Sequence, residues 1–408
     1  MDKSTFKPEN TIIVNATNIG YKFHGIGVYS LNLLKELCKL KTDLNFIIYV
    51  NNNAASHLNE INFPENFMIK WVSKSLSPDY GFRGHIKRLF FSNWLSLKYS
   101  SFLIFNTSQL EINFFRAEQV ITIHDIIPLL FKKYHKKQYL YYRFLLKFGL
   151  KRARFILTPS NFSKKTLQDI YKIPDSKIRV IHNGADTAGR KENINFEKSE
   201  KPFLLYIGRI CKMKNIKGVI ESFGKVASKI PHDLIIVGNN EMSFIEEFYL
   251  AKIDHNLKDR IIYKENISEA EKHYLFKNSA MMMFPTFYEG FGLPPIEAMA
   301  YGCPVIVSNN SSLPEICGDA AYYINPQNVA DISEAILKLI DNPDLRNTLI
   351  TKGKERASHF KWNFSARKHL WILEQIALYS NFPSAEKQPF YLPAIEPVGN
   401  KALSEAQI

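Results

Sequence analysis

The sequence predicts an α/β protein of two domains, and three observations predict it. A chain of 408 residues with 46% hydrophobic residues is long and apolar enough for two ordinary cores. Short β-branched runs alternate with amphipathic helical stretches from end to end. One central stretch, FPTFYEGFGLPPIEAMAYGCPVIV from Phe284 to Val307, reads as strand, turn, helix and strand in succession.

In that stretch Met281 to Pro285 ends a buried strand, and Gly290 and Gly292 allow a sharp turn at its carboxyl edge. Pro294 and Pro295 suit a first helical turn, which lacks hydrogen-bond partners for its amides anyway, and Ile296, Met299 and Ala300 follow at helical spacing. Free amides and the positive helix end then sit together at the sheet edge, a ready place for an anion such as a diphosphate. Glu289 precedes this helix and Glu297 lies in its opening turns, so the two carboxylates flank the anion site. Taken singly, each is equally a turn or surface carboxylate near a helix start.

From the N-terminus, NTIIVNAT (Asn10–Thr17) is an opening strand, followed by a loop with Gly20, Gly25 and Gly27 and a helix through VYSLNLLKELCKL. NFIIYVNN and MIKWVS continue the alternation. FRGHIKRLFFSNWLSLKY (Phe82–Tyr99) is a basic amphipathic helix, with Arg83, Lys87 and Arg88 beside Leu89, Phe90, Phe91, Trp94 and Leu95. It suits either a membrane surface or a core-facing role with a basic outer face. QVITIHDIIP is a strand that delivers His124 to its carboxyl end.

No acidic residue occurs between Asp125 and Asp169, where lysines, arginines and aromatics share one helical stretch. Tyr139, Tyr142, Leu146 and Leu150 fall near helical spacing and form its buried face, leaving the cations for anionic lipid or a pyrophosphate. FILTPSNFSKKTLQDIYKI is a strand and a helix capped by Asn161 or Ser163, and IRVIHNGAD closes the half. Residues 187–201 are polar and aperiodic, the best linker in the chain.

The second half opens with a strand running to Gly208. Arg209 and Lys214 lie just past its end, before a helix starting near Asn215, where the pair can neutralise a diphosphate. HDLIIVGNN and RIIYKENIS are further strands, Ser268–Glu271 is a capping box, and three helices follow the LPEICGDAA stretch. The tail from Phe382 has no periodicity.

The net charge is +14, and residues 1–190 carry 28 basic against 13 acidic residues, which leaves 25 against 26 for the rest. A basic half attracts nucleic acid, anionic lipid or phosphorylated ligands. Four scattered cysteines, without C-x-x-C or a Cys/His cluster, point to reduced thiols, no structural zinc and a cytosolic setting. No signal-peptide pattern and no run of roughly 18 uncharged apolar residues is present.

Together GIGVY, HDIIP, TPSNFS, VIHNGAD, GR-x(4)-KN, the E-x(7)-E segment and LPEICGDAA resemble the retaining family-4 glycosyltransferases of GT-B fold, in order and spacing. The resemblance implies two Rossmann-like domains facing each other across a cleft: residues 1–186 for the acceptor, 202–360 for the nucleotide-sugar, and a last helix, 361–381, returning to the first domain before a loosely ordered tail, 382–408. It implies transfer of a hexosyl group with retained configuration. His124 and Glu289 would be catalytic. Arg209, Lys214, Gly25, Gly27, Gly292 and Leu293 would bind the donor phosphates, and Glu289, Gly290, Phe291 and Gly292 the sugar. Glu297, Asn266 and Ile267 would hold the ribose and nucleoside.

The same resemblance implies no cofactor and no metal. The donor is GDP-mannose first and a UDP-sugar second, and the acceptor a surface polysaccharide (lipopolysaccharide or capsule) or a lipid-linked glycan. An anionic membrane would be met by the basic half, with the enzyme cytoplasmic or peripheral on the inner face of the plasma membrane. Two rivals are a GT-B nucleotide-sugar epimerase, which leaves the sugar on its nucleotide, and a basic nucleic-acid-binding protein, which leaves the motifs of the second half without a role.

Overall fold

The computed structural model describes residues 6–22, 25–115, 118–185, 199–239, 257 and 259–380. The first sheet contains β1 (Thr11–Asn15), β2 (Asn45–Asn51), β3 (Phe67–Val72), β4 (Leu103–Asn106), β5 (Gln119–Thr122), β6 (Phe155–Thr158) and β7 (Ile178–Val180). The second contains β8 (Phe203–Ile207), β9 (Asp233–Val237), β10 (Ile261–Lys264), β11 (Met281–Phe284), β12 (Val305–Ser308) and β13 (Tyr322–Ile324). Their orders are β3-β2-β1-β4-β5-β6-β7 and β10-β9-β8-β11-β12-β13, with every pairing parallel.

Parallel strands covered on both faces read as continuous apolar runs, and β1 and β11 are buried along their whole length. Alternate residues serve opposite layers. Met282, Phe284, Val305 and Val307 pack with Ile296 and Met299, whereas Met281, Met283 and Ile306 pack with Val219, Phe223 and Ile336.

The Trp362–Ser380 helix follows the second sheet in sequence but packs on the first. Trp362, Ala366, Leu370, Leu373 and Ile376 share a buried cluster with Ile12, Val14 and Leu34. The chain therefore passes between the sheets twice, and the two passages touch. Ala185 N–H donates to the Phe360 carbonyl at 2.9 Å, and a Cβ on Gly184 would lie 2.2 Å from Trp362 N. Most of the expected linker 187–201, and the tail 382–408, lie outside the described residues.

Three local expectations are corrected. The Asn161–Tyr171 helix is capped by Ser160, whose Oγ accepts from Ser163 N–H, and not by Asn161 or Ser163. In the basic aromatic stretch Tyr139 is only half-buried, while Tyr141 is buried beside Tyr142, Leu146 and Leu150. A π-helical turn over Tyr141–Leu146 advances the register and brings both neighbouring tyrosines inward.

Arg88 is no surface cation. It is 2% exposed, its Nε donates to Glu111 at 2.9 Å and its Nη1 to the Leu76 carbonyl. A buried guanidinium needs an acidic partner and full hydrogen bonding, which the 3.6-residue pattern of its own helix does not reveal.

Candidate active site

In an open parallel sheet the strand order reverses at one place, and the loops leaving the carboxyl ends there part to open a crevice. Here the reversals fall at β1/β4 and β8/β11. The loops after these four strands carry the glycine loop, Thr107–Ser108, Gly208–Arg209 and Glu289–Gly290.

In the second domain, Lys214 and Glu289 form an ion pair. Both come from loops tied together at Met213, whose carbonyl accepts from Phe287 N–H at 2.9 Å and Thr286 Oγ1 at 3.1 Å. Glu289 is held by its backbone: its N–H donates to Ser311 Oγ at 3.1 Å, and the Ser312 hydroxyl lies 3.1 and 2.8 Å from the Glu289 and Phe291 carbonyls. Gly292 has φ +102°, a left-handed conformation that suits glycine, and hands the chain to the Leu293–Ala300 helix. Leu293 touches the cores of both domains.

Glu297 lies within that helix, 3.7 Å from Lys272. Arg209 is exposed just past β8. Asn266 has φ +52°, and Ile267 packs against the second core.

In the first domain His124 is buried at the end of β5. Its backbone N–H donates to Gln109 Oε1 at 3.1 Å, and its Nε2 lies 3.0 Å from the Thr107 carbonyl. A carbonyl can only accept, so Nε2 carries the hydrogen and Nδ1 is the free acceptor. Burial pulls the imidazole pKa down to about 4, so the ring is neutral at physiological pH. Tyr29, from the helix that Gly25 and Gly27 open, meets the His124 ring edge-on at 4.5 Å. Its hydroxyl lies 2.7 Å from His369 of the returning helix. Gly27 is buried, and a Cβ there would sit 3.5 Å from the Asn18 carbonyl.

Gly290 brings the two halves together. A Cβ on it would lie 2.0 Å from the His124 carbonyl oxygen, so the Gly-Phe-Gly turn rests directly on the His124–Asp125 backbone. Its own carbonyl accepts from Ser160 Oγ at 2.6 Å and Ser163 Oγ at 3.1 Å. Glu289, Lys214 and His124 therefore belong to one junction.

Comparison with known proteins gives the lineage. Residues 23–188 match Glycosyltransferase Family 4, and residues 189–356 match Glycosyl transferases group 1, together most of the chain. The chain is a family 4 glycosyltransferase. This glycosyltransferase is 29% identical to an O-antigen chain mannosyltransferase of Salmonella typhimurium over 337 residues, 82% of this chain and 92% of that one. It is 26% identical to O-antigen chain mannosyltransferase B of Escherichia coli, over 86% of this chain and 96% of that one. The fold is GT-B: sucrose-phosphate synthase of Thermosynechococcus elongatus superposes with a TM-score of 0.70 at 19% identity, over 90% of this chain and 99% of that one.

Several residues of the glycosyltransferase's junction are not singled out by sequence reasoning. Asp125 accepts from Ile127 N–H at 3.0 Å; burial raises its carboxyl, against the pull of that hydrogen bond and of Lys214. Ser160 and Glu315 join the domains, as does Ser163, expected only as a helix cap, and Thr107 and Gln109 orient His124. Each of the five lies past the carboxyl end of a strand, in the following loop or the first turn of the next helix, and that position is the signal that could have found them. Among the described residues no group of three or more His, Cys, Asp or Glu gathers as metal ligands do.

Proposed function

We propose that this enzyme transfers a hexose, mannose first among the candidates, from a nucleoside diphosphate sugar to a growing surface polysaccharide or lipid-linked glycan, with retained anomeric configuration. The observation that carries the reading is the Lys214–Glu289 pair at the carboxyl edge of the second sheet, seated through Gly290 on the His124 loop of the first. The two curated relatives named above are mannosyltransferases of O-antigen chains, which supports the sugar and the acceptor class.

Negative charge grows on the departing diphosphate as the glycosidic bond breaks. Arg209, Lys214 and the amides around Gly292 and Leu293 meet that charge, with the helix start at Gly25 and Gly27 on the opposite wall. Donor binding draws the Lys214 ammonium toward phosphate and frees the Glu289 carboxylate for sugar hydroxyls, beside Gly290 and Phe291. Glu297 holds the ribose, and Asn266 and Ile267 border the base. Neutral His124 offers Nδ1 as an acceptor near the reacting sugar. The chain's own cations carry the phosphate charge, so the reaction proceeds without a metal.

We assign the membrane contact to two helices of the first domain. Phe82, Ile86, Phe90, Trp94 and Leu97 form an exposed apolar stripe along Gly81–Lys98, with Arg83, Lys87 and Lys98 exposed beside it. The neighbouring segment exposes Leu140, Phe144 and Phe148 among Lys136, Lys137, Arg143 and Lys147, and the His85 and Tyr141 rings pack the two together at 4.8 Å. Apolar side chains ringed by cations suit an anionic lipid interface. No helix among the described residues is long and apolar enough to cross a membrane.

Transfer assays with a panel of nucleotide sugars test the reading. Arg209→Ala, Lys214→Ala and Glu289→Ala each lower kcat by about 100-fold or more while the fold melts as in wild type, and EDTA has no effect. Normal turnover in all three variants would sink it.

A further inference from the structure

Glu315 stands on the Leu313–Cys317 helix of the second domain, but its side chain serves the first. Its carboxylate accepts from Asn161 N–H at 2.8 Å, Phe162 N–H at 3.0 Å and Asn161 Nδ2 at 3.0 Å, and faces His182 Nε2 at 3.1 Å. The opening amides of a helix lack intrahelical partners, and its N-terminus carries partial positive charge. Ser160, the helix's own cap, reaches Ser163 N–H and leaves those of Asn161 and Phe162 to Glu315.

The same helix end binds the catalytic turn. Ser160 Oγ and Ser163 Oγ both donate to the Gly290 carbonyl, one residue from Glu289. Glu315 is firmly mounted, since Arg356 donates to the Glu315 carbonyl at 2.5 Å and to the Ile316 carbonyl at 2.8 Å. Burial works against its charge, yet His182 and the two amides outweigh it and hold the carboxyl below its usual range.

We infer that Glu315 is a positioning residue for sugar transfer: a clasp, built from its carboxylate and the Asn161–Tyr171 helix N-terminus, that seats Glu289 and Gly290 against His124. The inference rests on the transferase reading above. A carboxylate that satisfies three donors of the other domain, and a histidine of the connecting passage, fixes the relative setting of the two walls. A displacement of about 1 Å at a reacting centre can cost on the order of 100-fold in rate. Most of the donor affinity stays with the second domain, which keeps Arg209, Lys214 and Glu297 in either case.

Two variants break the clasp from opposite sides. Glu315→Ala removes the acceptor. Asn161→Pro removes two of its donors at a first-turn position where proline is tolerated, and Ser160 before it is already extended, with φ −154° and ψ 157°. The expected result is a fall in kcat of about 10- to 100-fold in each, with a much smaller change in nucleoside diphosphate affinity. The double variant should lose no more than the worse single one, and Glu315→Gln should recover part of the rate. Faster amide exchange at Phe162 in Glu315→Ala reports the broken contact directly. Wild-type kcat in either single variant, or losses that multiply in the double, overturns the clasp. If the wild-type protein binds no nucleotide sugar, the transferase reading fails instead, and amide exchange still tests the contact.

Discussion

At the scale of single residues, Gly290 is set by its neighbour across the domain junction. A methyl group there would lie 2.0 Å from the His124 carbonyl, a backbone atom that cannot swing aside. Gly290→Ala therefore has to push the two walls apart. We expect transfer to fall by about 100-fold, with a stability loss of about 1–3 kcal/mol typical of overpacking. Steady-state kinetics beside a urea melt checks both, and an active Gly290→Ala would mean that the junction opens without cost. Gly290 and Gly292 are both legible in the sequence as turn glycines, but for different reasons. Gly292 needs its left-handed φ of +102°, a local demand, whereas Gly290 needs empty space beside another domain.

At the scale of elements, the Gly81–Lys98 helix shows how a correct helix can carry a misread face. Its period and basic character are plain in the sequence, yet Arg88 turns inward to Glu111, and the outward stripe is Phe82, Ile86, Phe90, Trp94 and Leu97. Glu111 also accepts from Ser108 Oγ at 2.5 Å, and Thr107 beside it holds the His124 ring. The inner side of this helix thus supports the loop that holds His124, while the outer side carries the apolar stripe assigned to lipid in the proposal above. The double variant Phe90→Ser/Trp94→Ser should lose most of its cosedimentation with vesicles containing anionic lipid. It should keep wild-type turnover on a water-soluble acceptor, because neither residue faces the junction. Undiminished vesicle binding would remove the helix from the membrane contact.

At the scale of the whole molecule, buried histidines tie stability to pH. Burial lowers His85, His124 and His369 each to about 4, below the usual 6.5, with the Arg88 charge adding to the effect at His85. The unfolded chain then binds more protons between pH 6.5 and 4, so these groups' contribution is complete above pH 6.5 and is lost as pH falls toward 4. Neither ring nitrogen of His85 has a hydrogen-bond partner, which makes it the cleanest probe. His85→Phe should match wild type near pH 7.5 and gain on it as pH falls to 4, by about 3 kcal/mol at most. A constant Tm difference across that range would show that His85 is not the titrating group.

The sequence by itself determined most of the strands and helices that frame the junction, though not β4 (Leu103–Asn106), as well as the lineage and the candidate residues Arg209, Lys214, His124 and Glu289 that follow strands. Periodicity, turn glycines and cations after strands are local signals that survive without coordinates. Tertiary structure alone decided the strand orders and the seating of Gly290 on the His124 backbone. It also decided the burial of Arg88 and the meeting of Glu315 with Asn161 and Phe162. The physical reason is that these features depend on pairs distant in sequence. The partner of Glu315 lies 154 residues away, and no spacing rule along the chain links two groups that only the packing of one domain on another brings within hydrogen-bond distance.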